Sequence, residues 1–178
     1  MTCPSESLRS AAKSLHPRDK VIAIVGPSGS GKTELICRLL PWFENQGLRV
    51  AVLKHSHKLS LGDEGKDTWR CRQAGARLVA LAAPGVMQIT RYTPEEPPLS
   101  QLLAALAPEA DLILVEGYKL SSLPKVAVVD PKSDHDFSDY PQVIALVSAN
   151  PLASPLPVFQ PHQVAELGTF LKKYLGCD

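Results

Sequence analysis

The stretch Gly26-Pro27-Ser28-Gly29-Ser30-Gly31-Lys32-Thr33 restricts what this chain can fold into more than any other segment. It fits G-x-x-x-x-G-K-[ST]. Before it runs Val21 to Val25, a continuous apolar stretch of the kind expected for a strand buried on both faces. After it, Leu35, Ile36, Leu39, Leu40 and Phe43 recur at helical spacing. A buried strand, a glycine-rich turn and an amphipathic helix together make an anion cradle. The glycines let successive backbone N–H groups curl inward as a nest, and the helix N-terminus adds unpaired donors and a positive dipole end. All of Gly26 to Thr33 are therefore nucleotide-binding candidates. Lys32 is expected to reach the β- and γ-phosphates and the Thr33 hydroxyl to meet Mg²⁺.

A length of 178 residues, 44% of them hydrophobic, suits one α/β domain with a sizeable core. The formal charge of +1 argues against a broad nucleic-acid surface, which needs a marked excess of Lys and Arg. Cys3, Cys37, Cys71 and Cys177 form no CxxC pair, so reduced thiols in a cytoplasmic protein are the expectation. No apolar run reaches the roughly 18 residues of a membrane span. Residues 1–19 lack the apolar region of a secretory signal and are expected to be a flexible extension, with the nucleotide-binding domain at 20–178.

Short β-branched runs alternate with helical patterns, which predicts a P-loop α/β fold with a mainly parallel sheet flanked by helices. The expected strands are Val21–Val25, Arg49–Leu53, Leu112–Val115, Val126–Val129 and Val143–Val147. Pro41 is expected to kink or end the first helix, because its ring clashes with the carbonyl of Cys37. A short helix is expected around Thr68 to Ala74. Leu78–Ala82 and Val86–Tyr92, on either side of Ala83-Pro84-Gly85, look like a β-hairpin extension, which would make the sheet mixed. Residues 94–98 read as a Pro-rich linker. Leu99, Leu102, Leu103 and Leu106 mark another helix, and Val164, Leu167, Leu171 and Tyr174 the last one. Between them, Pro151, Pro155, Pro157 and Pro161 indicate an extended connection rather than a second domain.

An apolar strand ending in an acid, Leu112-Ile-Leu-Val115-Glu116, supplies the Walker B carboxylate, so Thr33 and Glu116 are the candidate metal ligands. With Lys32, Glu116 is also the candidate catalytic pair. Being longer than the usual Asp, it could instead position a water or act as a base. Lys54-His55-Ser56-His57-Lys58 follows the second strand, at the sheet edge where doubly wound folds bind ligands. His55 and His57 would face the same side of an extended segment, but two histidines with no third ligand are thin ground for a metal site. In Gly65-Lys66-Asp67-Thr68-Trp69-Arg70, Asp67 reads as an N-cap or first-turn acid.

The set GPSGSGKT, LKHSHK, GKDTWRCRQAGA and LILVEGYK resembles the MobB family of molybdopterin-guanine dinucleotide biosynthesis adaptors, from about residue 20 to the C-terminal helix. That resemblance implies a homodimeric, GTP-binding P-loop protein with weak GTPase activity, partnered with a MobA-type guanylyltransferase. GTP and Mg²⁺ would be its ligands, with molybdopterin or its guanine dinucleotide a further candidate. It implies phosphate contacts from Gly26, Gly31, Lys32 and Thr33, and Glu116 at the metal. Lys54, His55, His57, Lys66 and Asp67 would line the adjoining loop, to which Arg70 is added as a possible phosphate clamp. The chain departs from the family between His57 and Gly65, where Lys58-Leu-Ser-Leu-Gly62 is shorter and poorer in acids, and where Glu64 replaces a Pro.

Two other functions compete on sequence grounds: a P-loop small-molecule kinase using Glu116, Asp67 and Arg70, and a metal-delivery GTPase using His55 and His57. The N-K-x-D guanine motif is absent. Asn150 holds the corresponding place in chain order and either reads the base or forms an Asn-Pro turn. With no evident Gln or Arg finger, slow hydrolysis is expected.

Overall fold

A computed structural model of the chain describes residues 20–56, 62–129, 137 and 139–177. The N-terminal extension, His57 and most of the shortened stretch after it lie outside these residues. The elements run β1 (Val21–Val25), α1 (Lys32–Asn45), β2 (Val50–Lys54), α2 (Asp67–Gln73), β3 (Leu78–Ala83), β4 (Val86–Arg91), α3 (Leu99–Leu106), β5 (Leu112–Glu116), β6 (Lys125–Val129), β7 (Val143–Ser148), β8 (Val158–Phe159) and α4 (Val164–Tyr174).

The main sheet has the order β2-β5-β1-β6-β7-β8, with every neighbouring pair parallel. Its two central apolar strands, β1 and β5, are buried along their whole length, as continuous apolar runs require. One face, with Ile22, Ile24, Leu112 and Leu114, packs on Leu35, Ile36, Leu39 and Phe43 of α1 and on Leu167 and Leu171 of α4. The other, with Val21, Ala23, Val25, Ile113 and Val115, packs on α3 through Leu103, with Leu99, Tyr118 and Leu123 around it. Because β1 sits between β5 and β6, the loop leaving β1 emerges at a switch in strand order, where a crevice opens at the carboxyl edge.

One expectation is corrected and one is narrowed. The hairpin β3–β4 is antiparallel but pairs with no strand of the main sheet, so the sheet is not mixed and the hairpin stands as a ribbon of its own. Its link to the body on the N-terminal side is α2, which packs against β3. Pro41 does not end α1, which continues to Asn45. Phe43, past the proline, is fully buried, and its packing holds the last turn in place. No helix among the described residues is long and apolar enough to cross a membrane.

Lys125 is fully buried at the start of β6. Its ammonium donates to the carbonyls of Ser121, Leu123 (2.8 Å) and Pro141 (2.8 Å), which ties the β5–β6 crossover to the turn before β7.

Candidate functional site

The loop from Gly26 to Gly31 is shaped by backbone that only glycine adopts readily: φ is +147° at Gly26, +77° at Gly29 and +90° at Gly31. Leu35 is the first residue of α1 whose N–H is satisfied within the turn, by Gly31 O at 2.9 Å. The N–H groups of Lys32, Thr33 and Glu34 therefore have no intrahelical acceptor and point back toward the loop. Pro27 O accepts from Ser30 N at 3.3 Å and from the Lys32 ammonium at 2.5 Å, so the lysine folds over its own cradle. Among the described residues Ser30 Oγ, buried there, has no partner. Burial pushes the Lys32 ammonium below its ordinary pKa; the Glu116 carboxylate opposes this and the Lys54 charge adds to it. A concave set of donors with an under-stabilised cation and an orphaned hydroxyl suits a polyphosphate.

Glu116 comes to this cradle because β5 lies beside β1, with Glu116 in register with Ile24. It is 8% exposed. Thr33 Oγ1 donates to its Oε2 at 2.8 Å, and Lys54 Nζ lies 3.0 Å from its Oε1 and 3.3 Å from Thr33 Oγ1. One hydroxyl and one carboxylate, both hard oxygens facing the cradle, are a donor set that fits Mg²⁺, which takes few protein ligands and completes its shell with water and phosphate oxygens.

Past Glu116 the chain turns through Gly117, φ +104°, where a Cβ would come 3.1 Å from that of His55. The turn sets Tyr118 against His55, with ring centroids 4.5 Å apart and the planes tilted by 31°. Glu96 completes the group: its Oε1 accepts the Tyr118 hydroxyl at 3.0 Å and lies 3.1 Å from His55 Nε2. Burial first, then Glu96, pushes the Tyr118 phenol up to about 12. These rings wall a cavity of about 820 Å³ that opens directly from the cradle at Gly26, Ser28 and Lys32, with Leu99, Lys119 and Leu120 around it. Sequence reasoning passed over Glu96, since a Pro-rich stretch between elements carries no pattern that points to a distant histidine. Tyr118 and Lys119 stood inside the VEGYK segment without a role of their own.

The structure thus brings together Gly26 to Thr33, Lys54, His55 and Glu116. Lys66, Asp67 and Arg70 belong to the start and body of the short helix α2, which packs against β3 of the hairpin. Lys66 is the N-cap, and Asp67 is a first-turn acid that pairs with Arg70 at 3.5 Å. Among the described residues, neither Asp67 nor Arg70 makes a hydrogen bond or ion pair with Thr33, Lys54 or Glu116. Asn150 lies just beyond β7 at the same sheet edge. Ser148 Oγ holds its backbone, donating to Asn150 O at 2.8 Å and accepting from Asn150 N at 3.2 Å. Among the described residues no group of three or more His, Cys, Asp or Glu could hold a metal by itself.

Comparison with known proteins agrees with this architecture. The molybdopterin-adapter protein of Haemophilus influenzae, described as a "Molybdopterin-guanine dinucleotide biosynthesis adapter protein", is 31% identical over 87% of this chain and 89% of its own length. The Escherichia coli protein of the same description is 30% identical over 93% of this chain and 97% of its own. The crystal structure of Bacillus subtilis MobB superposes with a TM-score of 0.71 at 27% identity, covering 86% of this chain and 97% of that one. The family model for MobB, "Molybdopterin guanine dinucleotide synthesis protein B", matches residues 21–149, from the first strand through the Walker elements to the end of β7. This chain belongs to the MobB family.

Proposed function

We propose that the chain is a GTP-binding adapter in the biosynthesis of molybdopterin guanine dinucleotide, hydrolysing nucleotide slowly and acting chiefly by binding and delivery. The observation that carries this is the meeting of the Thr33 hydroxyl and the Glu116 carboxylate, 2.8 Å apart, at the mouth of the Gly26–Thr33 nest. In this reading the nest and Lys32 grip the phosphates, Thr33 and Glu116 take Mg²⁺, and Asn150 reads the base. The His55–Tyr118 wall faces a second molecule, molybdopterin or its guanine dinucleotide. The partner is a MobA-type guanylyltransferase, met in the cytoplasm.

Calorimetry with GTP and ATP on wild type and Lys32→Ala tests it. Loss of the charged hydrogen bonds of Lys32, about 1.5–3 kcal/mol, should weaken GTP binding by on the order of 10- to 100-fold. Unchanged affinity in Lys32→Ala, or no capture of a MobA-type enzyme by the wild type, would refute it.

The hairpin supports a homodimer. Leu78, Ala80 and Ala82 share one face of the ribbon with Arg91, Ile89 and Met87, and Leu78, Ile89 and Met87 are 54%, 56% and 68% exposed. A two-stranded ribbon is marginal by itself, and an apolar face of this kind asks for cover. We assign that cover to the same face of a second copy, an isologous contact. Met87→Lys with Ile89→Lys should then convert the dimer to a monomer in sedimentation equilibrium. A wild-type chain that sediments as a monomer at tens of micromolar would count against the assignment.

A further inference from the structure

The two oxygens proposed above for Mg²⁺ are already bridged by a cation of the chain itself. Lys54 Nζ lies 3.0 Å from Glu116 Oε1 and 3.3 Å from Thr33 Oγ1. Backbone register dictates this placement. In the parallel pairing of β2 with β5, Lys54 stands opposite Glu116, so their side chains leave the sheet side by side. The peptide N–H of His55 then donates to Glu116 O at 3.0 Å and fixes the strand end. The side chain is less constrained: that of Lys54 is 55% exposed against 11% for Glu116. The ammonium can therefore swing out on its four-carbon stem without disturbing the core.

We infer that Lys54 is a built-in stand-in for the divalent cation: it holds the Thr33 hydroxyl and Glu116 carboxylate together and is displaced when Mg²⁺ arrives with the triphosphate. The inference rests on the nucleotide-binding reading above. A divalent ion on the same pair of oxygens would lie within a few ångströms of the ammonium and repel it. Metal binding and the Lys54 contact therefore oppose one another. The arrangement also has a use. A nearly buried carboxylate beside a phosphate cradle repels the ligand, and a neighbouring ammonium neutralises it until the metal takes over. Lys54 so acts as a positioning residue for the metal ligands, and its side chain sets how much Mg²⁺ the site requires.

The test uses the full chain, with Mn²⁺ as a paramagnetic probe in place of Mg²⁺ and free Mn²⁺ read by electron paramagnetic resonance at saturating GTP. In Lys54→Met the half-saturating Mn²⁺ concentration should fall by about three- to five-fold, the scale of a partly exposed ion pair. GTP affinity in EDTA should fall as well, because Glu116 is then unneutralised. In Lys54→Arg, whose planar fork grips the carboxylate more firmly, the Mn²⁺ midpoint should stay at or above that of wild type. An unchanged or raised midpoint in Lys54→Met overturns the inference. So does a loss of GTP affinity that is equal in EDTA and in Mg²⁺, which would make Lys54 a constant phosphate contact. Either result leaves nucleotide binding itself standing, whereas a wild-type chain that binds no GTP in either condition overturns both. Circular dichroism melts check that the variants fold.

Discussion

Gly26 and Gly29 belong to the same loop but resist substitution for different reasons, and the difference can be measured. At Gly26 an added Cβ would come 2.4 Å from the carbonyl oxygen of Val128 in β6, a backbone atom held in the sheet, at a φ of +147°. Crowding against a fixed backbone atom costs about 1–3 kcal/mol, and placing an L-residue in so sparse a region costs about 1–3 kcal/mol more. At Gly29 a Cβ would meet nothing within 4 Å, and only the left-handed φ of +77° opposes it. That is about 1–2 kcal/mol; the stiffer unfolded chain offsets about 0.4–1 kcal/mol in both variants alike. Gly26→Ala should therefore be less stable than Gly29→Ala by about 2–4 kcal/mol. Urea unfolding of both variants without nucleotide, with equal m-values, measures the gap. Stabilities within about 1 kcal/mol of each other would mean that β6 does not hold the loop as tightly as the close approach requires.

Three further outcomes are expected. Lys125→Met strips three partly buried carbonyls of their donor, about 1 kcal/mol each, against relief from burying a charge; the net should be a loss on the order of 2 kcal/mol in urea unfolding, and a variant as stable as wild type would refute that balance. Asp111 is held down to about 2 from its usual 3.8, first by its hydrogen bond with the Arg49 side chain. The pair's stabilisation is thus fully present above the unfolded value and is lost as the folded carboxylate titrates. Asp111→Asn should flatten the fall in melting temperature between about pH 4 and about pH 2, and an unchanged slope would count against the pair. If Asn150 reads the base, Asn150→Ala should lose one hydrogen bond of about 1 kcal/mol, weakening GTP by roughly five-fold while leaving ATP binding as it was.

What the sequence disclosed was local. The nest depends on glycines, an apolar strand and a helix that adjoin in the chain, so Gly26 to Thr33 could be recognised without knowing the fold. Glu116 was legible because a strand-end acid has a known task near such a loop. The partnership of Lys54 with Glu116 was not, because it depends on β2 lying next to β5, and strand order leaves no trace in periodicity. Glu96 was hidden for the same reason in a segment read as linker. The two-residue β8 is too short to show a period of two, and the detached hairpin looks in sequence like any other pair of strands. Lys66, Asp67 and Arg70 were legible as a helix start, which is a local feature, with Lys66 at the N-cap and Asp67 in the first turn.

Slow hydrolysis is the expectation that most separates an adapter from a working NTPase, and the geometry bears on it. Rapid turnover needs a group that orients the attacking water and a cation that meets charge developing on the γ-phosphate. Beyond Lys32 the cradle opens into the cavity of about 820 Å³, with Leu99, Lys119 and Leu120 around it. His55 Nε2 and the Tyr118 hydroxyl turn toward Glu96, and Glu116 faces Thr33 and Lys54. A space of that size with an aromatic wall is better suited to a second molecule than to one ordered water. Single-turnover GTP hydrolysis by the purified chain should accordingly run far below about 1 s⁻¹, the lower end for efficient phosphoryl-transfer enzymes. A rate at or above that figure without a partner would show that the site carries a water-orienting group these contacts do not reveal.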